Sequence, residues 1–235
     1  MMTLSERQTT VPTPRYLQLL PPLYRDAIRR RDVSSSGRGM EPLQPGVERE
    51  GLTVHELRAL MPRLSAAHAA ELLPHLEAAM AEANITTPAR RAAFLAQVAH
   101  ESGELRFFEG VVSHLMDEEP EGLGNVHPED PVRYKARGPL PITGRTNYRA
   151  ASRALGIDLE REPARVAEAE VGFRVAAWYW YSRDLNRLAD VGDFREITRR
   201  INGGYNGMAR RAEYYRRAFE VLQESCGECS ERGEG

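Results

Sequence analysis

Four consecutive residues, His100-Glu101-Ser102-Gly103, bring an imidazole, a carboxyl and a hydroxyl to the end of an apolar helical stretch. At that position Glu101 would be half-buried. A carboxyl desolvated there and crowded by Glu104 and Glu109 tends to keep its proton near neutral pH, as a general acid needs. The same tetrapeptide also suits an ordinary helix terminus with an exposed glutamate. Glu109 follows Glu101 by eight residues, which on a continuous helix would put their α-carbons about 12 Å apart. Gly103 favours a break and a closer approach. Two carboxyls roughly 6.5 to 9.5 Å apart leave room for the attacking water of an inverting glycosidase. The alternative for Glu109 is a surface charge. A zinc protease is strongly disfavoured, because that pattern needs a second histidine four residues after His100 and position 104 is Glu.

Helical elements must position these residues. Thr53 with Glu56 three residues on forms a capping-box signature ahead of Leu57, Leu60 and Met61. Ser65 opens a second helix reaching about Ala83. Thr87 is placed to cap a third that starts at Pro88 and runs to about Gly103, burying Ala92, Phe94, Leu95, Val98 and Ala99. Residues 104–142 are rich in Gly and Pro, and so long a loop in a compact domain is usually functional. Helical periodicity returns at Arg145 to Leu155, Val166 to Arg183 and Asp193 to Ile201, the last with Asp193 and Glu196 as a second capping box, and at about Ala209 to Gln223. No stretch alternates long enough to need more than a small hairpin, so the class is mainly α. Trp178, Tyr179, Trp180 and Tyr181 are consecutive on one helix and point in different directions, which suits core packing.

The 235 residues fit one globular domain, here 51–223, with a Pro-, Arg-, Ser- and Gly-rich segment at 1–50 and a polar tail at 224–235. The N-terminal segment has room for one docking helix, Tyr16 to Arg31, and its run YLQLLPPLYRD faintly resembles the opening of some phage-tail or injection-system proteins. Even the apolar stretch Val171 to Tyr181 is interrupted by Arg174, so no membrane insertion is expected. The first residues lack a basic region followed by an apolar core, so the chain is expected to be made in the cytoplasm without a signal peptide and to act after release or delivery. All basic residues but Lys135 are arginine, a bias of a GC-rich genome rather than a sign of nucleic-acid binding. The formal charge is -2, yet residues 100–130 carry net -8 and residues 192–217 net +4. An acidic and a basic segment brought together suit a cleft that perturbs carboxylates, or else two solvated faces of opposite sign. Cys226 and Cys229 lack further ligands for a zinc site and read as a surface dithiol or a local disulfide.

Three long runs, from LTVHELRAL through HESGELRFFEG, then RYKARGPLPITGRTNYRAASRALGIDL, then DLNRLADVGDFREITRRINGGYNG, resemble the catalytic domain of family 19 glycoside hydrolases over about residues 52–222. Within that family they are similar to the compact bacterial and phage-type chitinase or endolysin branch. The resemblance implies a lysozyme-like α-helical fold and inverting hydrolysis of β-1,4 bonds between N-acetylated sugars, with chitin or peptidoglycan strands as partners. It implies a monomer with no metal or other cofactor. Glu101 matches the general acid and Thr143 the hydroxyl that holds the attacking water. Asn147, Asn202 and Arg211 match groups lining the sugar cleft, and His100, beside the acid, and Tyr148, packing beneath, are expected to take part in substrate binding with them.

The chain also departs from the family pattern. The second carboxylate usually lies nine residues after the first, where this chain has Gly110, and Glu109 stands one place early. Around Lys135 the family reads approximately YKGRGPIQITG, whereas here Ala136 replaces a glycine and Pro141 a glutamine. These changes leave two alternatives to a normal hydrolase: a relative that binds glycan with weak or no cleavage, or a component of an injection particle.

Overall fold

The computed structural model describes residues 51–110 and 123–231, with residues 224–231 described by backbone alone. The proposed N-terminal docking helix therefore lies outside the described residues. Polar caps set the first three helices. The Thr53 hydroxyl accepts from the Glu56 amide at 3.1 Å while the Glu56 carboxylate accepts from the Thr53 amide at 2.7 Å, opening α1 (Val54–Leu60). Ser65 caps α2 (Ala66–Glu82), and Thr87 caps α3 (Pro88–Glu101), where Pro88 forfeits no helical bond. There follow α4 (Asp130–Arg133), α5 (Arg145–Leu155), a 3-10 turn at Pro163–Ala167, α6 (Ala169–Ser182), α7 (Leu185–Asp190), α8 (Phe194–Asn202) and α9 (Met208–Glu231). The class is mainly α, as expected. Among the described residues β pairing is limited to two isolated antiparallel bridges, Glu109 with Arg137 and Arg137 with Ile142.

Helix α3 is the centre of the fold. Every residue from Arg91 to Ala99 is buried, so its whole circumference is covered and not one stripe alone. The most extensive partner is α9, and Trp180 of α6 meets Phe94 edge to face at 5.3 Å. Helix α8 is pinned to α3 by Gln97 Nε2 donating to Thr198 Oγ1 at 2.9 Å, both residues fully buried. The loop ahead of α5 is fixed by Asp130, whose buried carboxylate accepts from the Val126 amide and from the Arg145 guanidinium at 2.6 and 2.8 Å.

Four elements differ from expectation. Helix α6 starts at Ala169 because Pro163–Ala167 forms a 3-10 turn and Glu168 is extended, with φ -70° and ψ 141°. Helix α7 was not expected; its six residues are fewer than two turns and give no readable period, although Leu185, Leu188 and Ala189 are buried. Only half of the second capping box forms. Asp193 accepts from the Glu196 amide, but the Glu196 carboxylate turns to Arg199 and Arg200. Finally, α9 continues to Glu231 through Cys226 and Cys229, where a polar tail was expected.

Candidate active site

Glu101 is the last residue of α3, and the helix stops there because the chain turns left-handed at Gly103, Glu104 and Leu105, with φ of 59°, 68° and 59°. For the two residues with side chains this conformation costs on the order of 1–3 kcal/mol each. Hydrogen bonds offset that cost. Ser102 Oγ donates to the Val98 carbonyl and accepts from the Leu105 amide, and the Glu104 carboxylate accepts from the Arg63 amide, the Arg63 guanidinium and the Tyr214 hydroxyl at 2.7, 2.9 and 2.8 Å. Glu104 is thereby drawn into the core edge beside α1, so it does not crowd Glu101 as expected.

Burial opposes ionisation of Glu104, but the Arg63 amide, the Tyr214 hydroxyl and the Arg63 guanidinium outweigh it and hold its pKa below the usual range. A folded value below the unfolded one stabilises the native state above about pH 4.3, and that stabilisation is lost as pH falls through the folded value. Glu104→Gln should therefore lower stability at pH 7 by about 1–3 kcal/mol. Urea unfolding at pH 7 and pH 3 should show the gap between wild type and variant closing in acid; a gap independent of pH would contradict this reading.

Arg211 of α9 secures Glu101. It is 1% exposed, donates to Glu101 Oε1 and Gln97 Oε1 at 2.5 Å each, and holds the Asn206 carbonyl at 3.2 Å. Gln97 and Glu101 lie four residues apart, so one guanidinium spans a single face of α3. The basic segment and the acidic segment do meet, at this pair. His100 beside it is half-buried, and burial together with Arg211 and Arg210 outweighs Glu101 in keeping its pKa low, so the ring is neutral at pH 7. Gly207 packs directly on that ring: a β-carbon there would come within 2.4 Å of His100 Cε1. Tyr179 of α6 lies within the field of Glu101 and donates to the Arg200 carbonyl at 3.3 Å, which sets the Asn202 end of α8 at the same end of the site. Two buried nitrogens, His100 Nδ1 and Asn202 Nδ2, have no hydrogen-bond partner among the described residues.

The second part of the site is the short ladder formed by the two bridges. Arg137 is buried and donates to Glu109 Oε1 at 2.8 Å, the Arg133 carbonyl at 2.9 Å and the Tyr148 hydroxyl at 3.1 Å. Lys135 Nζ lies 3.5 Å from Glu109. The Arg137 hydrogen bond, against some burial and aided by Lys135, lowers the Glu109 pKa, so this carboxylate is ionised at neutral pH. Glu109 too is thus committed to its own cations rather than crowding Glu101. Tyr148 is fully buried and donates to the Lys135 carbonyl at 2.7 Å, so it supports the loop from beneath and does not face a ligand. Thr143 is exposed, its hydroxyl donating to the Tyr134 carbonyl, and Asn147 Nδ2 donates to the Thr143 carbonyl at 2.8 Å. The structure therefore groups His100, Glu101 and Arg211, holds Asn202 two residues beyond the Arg200 carbonyl that Tyr179 binds, and separately groups Glu109, Thr143, Asn147 and Tyr148. Gln97 and Tyr179 were not expected at the site; a buried glutamine one turn before Glu101 in an otherwise apolar run was the readable signal for the first.

Among the described residues no cluster of three or more His, Cys, Asp and Glu could hold a metal ion, and no helix is long and apolar enough to cross a membrane. The family model of chitinase class I, glycoside hydrolase family 19, matches residues 67–191. The chain belongs to this family. A glycosyl hydrolase family 19 domain-containing protein of Haemophilus influenzae is 30% identical over 172 residues, covering 60% of this chain and 84% of that one. An endochitinase of Arabidopsis thaliana is 37% identical over 115 residues, covering 48% of this chain but only 39% of the plant protein. Chitinase C from Streptomyces griseus superposes with a TM-score of 0.59 at 24% identity, covering 77% of this chain and 96% of that one, which shows the shared lysozyme-like fold.

Two of the three positions at which the resemblance implies a departure, Gly110 and Ala136, touch in this family 19 glycoside hydrolase. The Gly110 amide donates to the Ala136 carbonyl at 2.9 Å, and a β-carbon at Gly110 would lie 3.2 Å from the Ala136 methyl. Because 109 bridges 137, residues 110 and 136 lie on the opposite face of the ladder from Glu109 and Arg137. A side chain at 110 thus competes with the one at 136. A double-mutant cycle of Gly110→Ala and Ala136→Gly should give a favourable coupling on the order of 0.5–2 kcal/mol; additive urea midpoints would show that the two positions do not share space.

Proposed function

We propose that this family 19 hydrolase cleaves β-1,4 bonds between N-acetylated sugars with inversion. Water attacks the anomeric carbon as the glycosidic C–O bond breaks; the leaving oxygen takes the proton of Glu101, and the water's proton passes to Glu109. Thr143 and Asn147 hold the water and a sugar, while Asn202 lines the cleft and Arg211 fixes the acid. The observation that carries this reading is Glu101 clamped by Arg211 at the end of the buried central helix; a second carboxylate, Glu109, is kept ionised by Arg137 and Lys135 on the short ladder. Cell wall or extracellular glycan reached after release or delivery is the proposed target. The test is release of new reducing ends from chitin oligomers and from permeabilised Gram-negative cell walls by the full chain.

One observation favours a second reading. Glu109 points to the ladder face opposite position 110, so it does not occupy the place that a carboxylate at 110 would take. A chain that binds both substrates without releasing sugar would be a glycan-binding relative.

A further inference from the structure

Two exposed aromatic rings belong to the segments on either side of Glu101. Phe107 is 59% exposed just past the left-handed turn that ends α3, and Tyr205 is 44% exposed in the loop whose Gly207 packs on His100. Each carries an arginine on its ring: the Arg106 guanidinium lies 5.0 Å from the Phe107 centroid and that of Arg195 lies 4.4 Å from Tyr205. Neither arginine forms an ion pair with a carboxylate among the described residues. Nor do Arg210, close enough to disfavour a charge on His100, and Arg183, 3.4 Å over the Tyr179 ring. Their neighbours are engaged: Arg199 and Arg200 share Glu196, Arg187 holds Asp184, and Arg211 donates to Glu101 and Gln97.

An exposed arginine left over an aromatic face keeps its charge available while the ring offers an apolar plane. Sugars present apolar faces to such planes, and a guanidinium pairs with carboxylate in a bidentate fork. Neutral chitin would use the rings alone. We infer that the Arg106–Phe107 and Arg195–Tyr205 pairs are clamps for a glycan that bears carboxylates along its strand, so that the Glu101 site prefers an acidic N-acetylated strand over a neutral one. The inference rests on the glycosidase reading of Glu101 and narrows its substrate class.

The test uses the full chain carrying Glu101→Gln, so that bound glycan is not consumed, and measures affinity for three probes by calorimetry. The probes are neutral N-acetylglucosamine hexamer, glycan strands with peptide stems, and the same strands stripped of peptides so that only sugar-borne carboxylates remain. At 50 mM salt an acidic strand should bind on the order of 10-fold tighter than the hexamer, and the advantage should shrink at 500 mM as screening shortens the reach of charge. Arg106→Gln and Arg195→Gln should each weaken acidic-strand binding about 2- to 5-fold with the hexamer unaffected, whereas Phe107→Ala and Tyr205→Ala should weaken all three. Loss of affinity on stripping would assign the peptide carboxylates as the charge recognised, and retention the sugar-borne ones; either supports the inference. Equal, salt-independent affinity for all three overturns it and leaves the glycosidase reading standing. No binding to any probe, with no sugar released by the wild type, overturns both.

Discussion

Glu101→Gln should lose turnover by a factor on the order of 10² to 10⁴ while still binding glycan. The amide keeps the shape of the carboxyl and an oxygen to accept from Arg211, whose side chain is fully enclosed and also anchored by Gln97 and Asn206. What it lacks is a proton to give to the leaving oxygen. Steady-state release of reducing sugar, with a melting curve to show that the fold is intact, separates this loss from unfolding. A variant with wild-type turnover would remove Glu101 from the reaction.

Trp180→Ala should be the most damaging core change, costing about 3–5 kcal/mol and lowering the melting temperature by on the order of 10 °C. The indole is fully buried, meets Phe94 of the central helix edge to face, and donates to Asn186 Oδ1 at 2.8 Å. Asn186 in turn donates to the Ala83 carbonyl at 2.9 Å, so one ring joins α6, α7 and the end of α2 to α3. Its neighbour Tyr181 is 65% exposed, and Tyr181→Ala should change stability by no more than about 0.5 kcal/mol. Similar losses for the two variants would mean that this packing is not what holds the helices together.

The contrast between Trp180 and Tyr181 shows what the sequence could and could not disclose. Caps, apolar periods and the break at Gly103 are local, and they locate α1, α2, α3 and α5 to within a residue or two. Helix α7 escapes because six residues do not complete a second turn, and the continuation of α9 escapes because Glu, Gln and Ser tolerate a helix without announcing one. At the site, Glu101 is legible from its place at a helix end. The partner of Glu104 is not, since Arg63 lies 41 residues away and reaches it only because Glu104 and Leu105 adopt a left-handed turn that side chains seldom take. The fate of Glu109 is likewise settled by Arg137 across a bridge, and the competition between Gly110 and Ala136 appears only once the two chain segments are paired.

The anomeric form of the first product tests the account most directly. Wild-type protein mixed with an N-acetylglucosamine hexamer, or with acidic glycan strands, would be followed by proton NMR before mutarotation sets in. With Glu101 as the acid and water activated by a separate carboxylate, the newly formed reducing end should appear first as the α-anomer and then relax to the equilibrium mixture. A first product in the β form, or no new reducing end from either substrate, would contradict it.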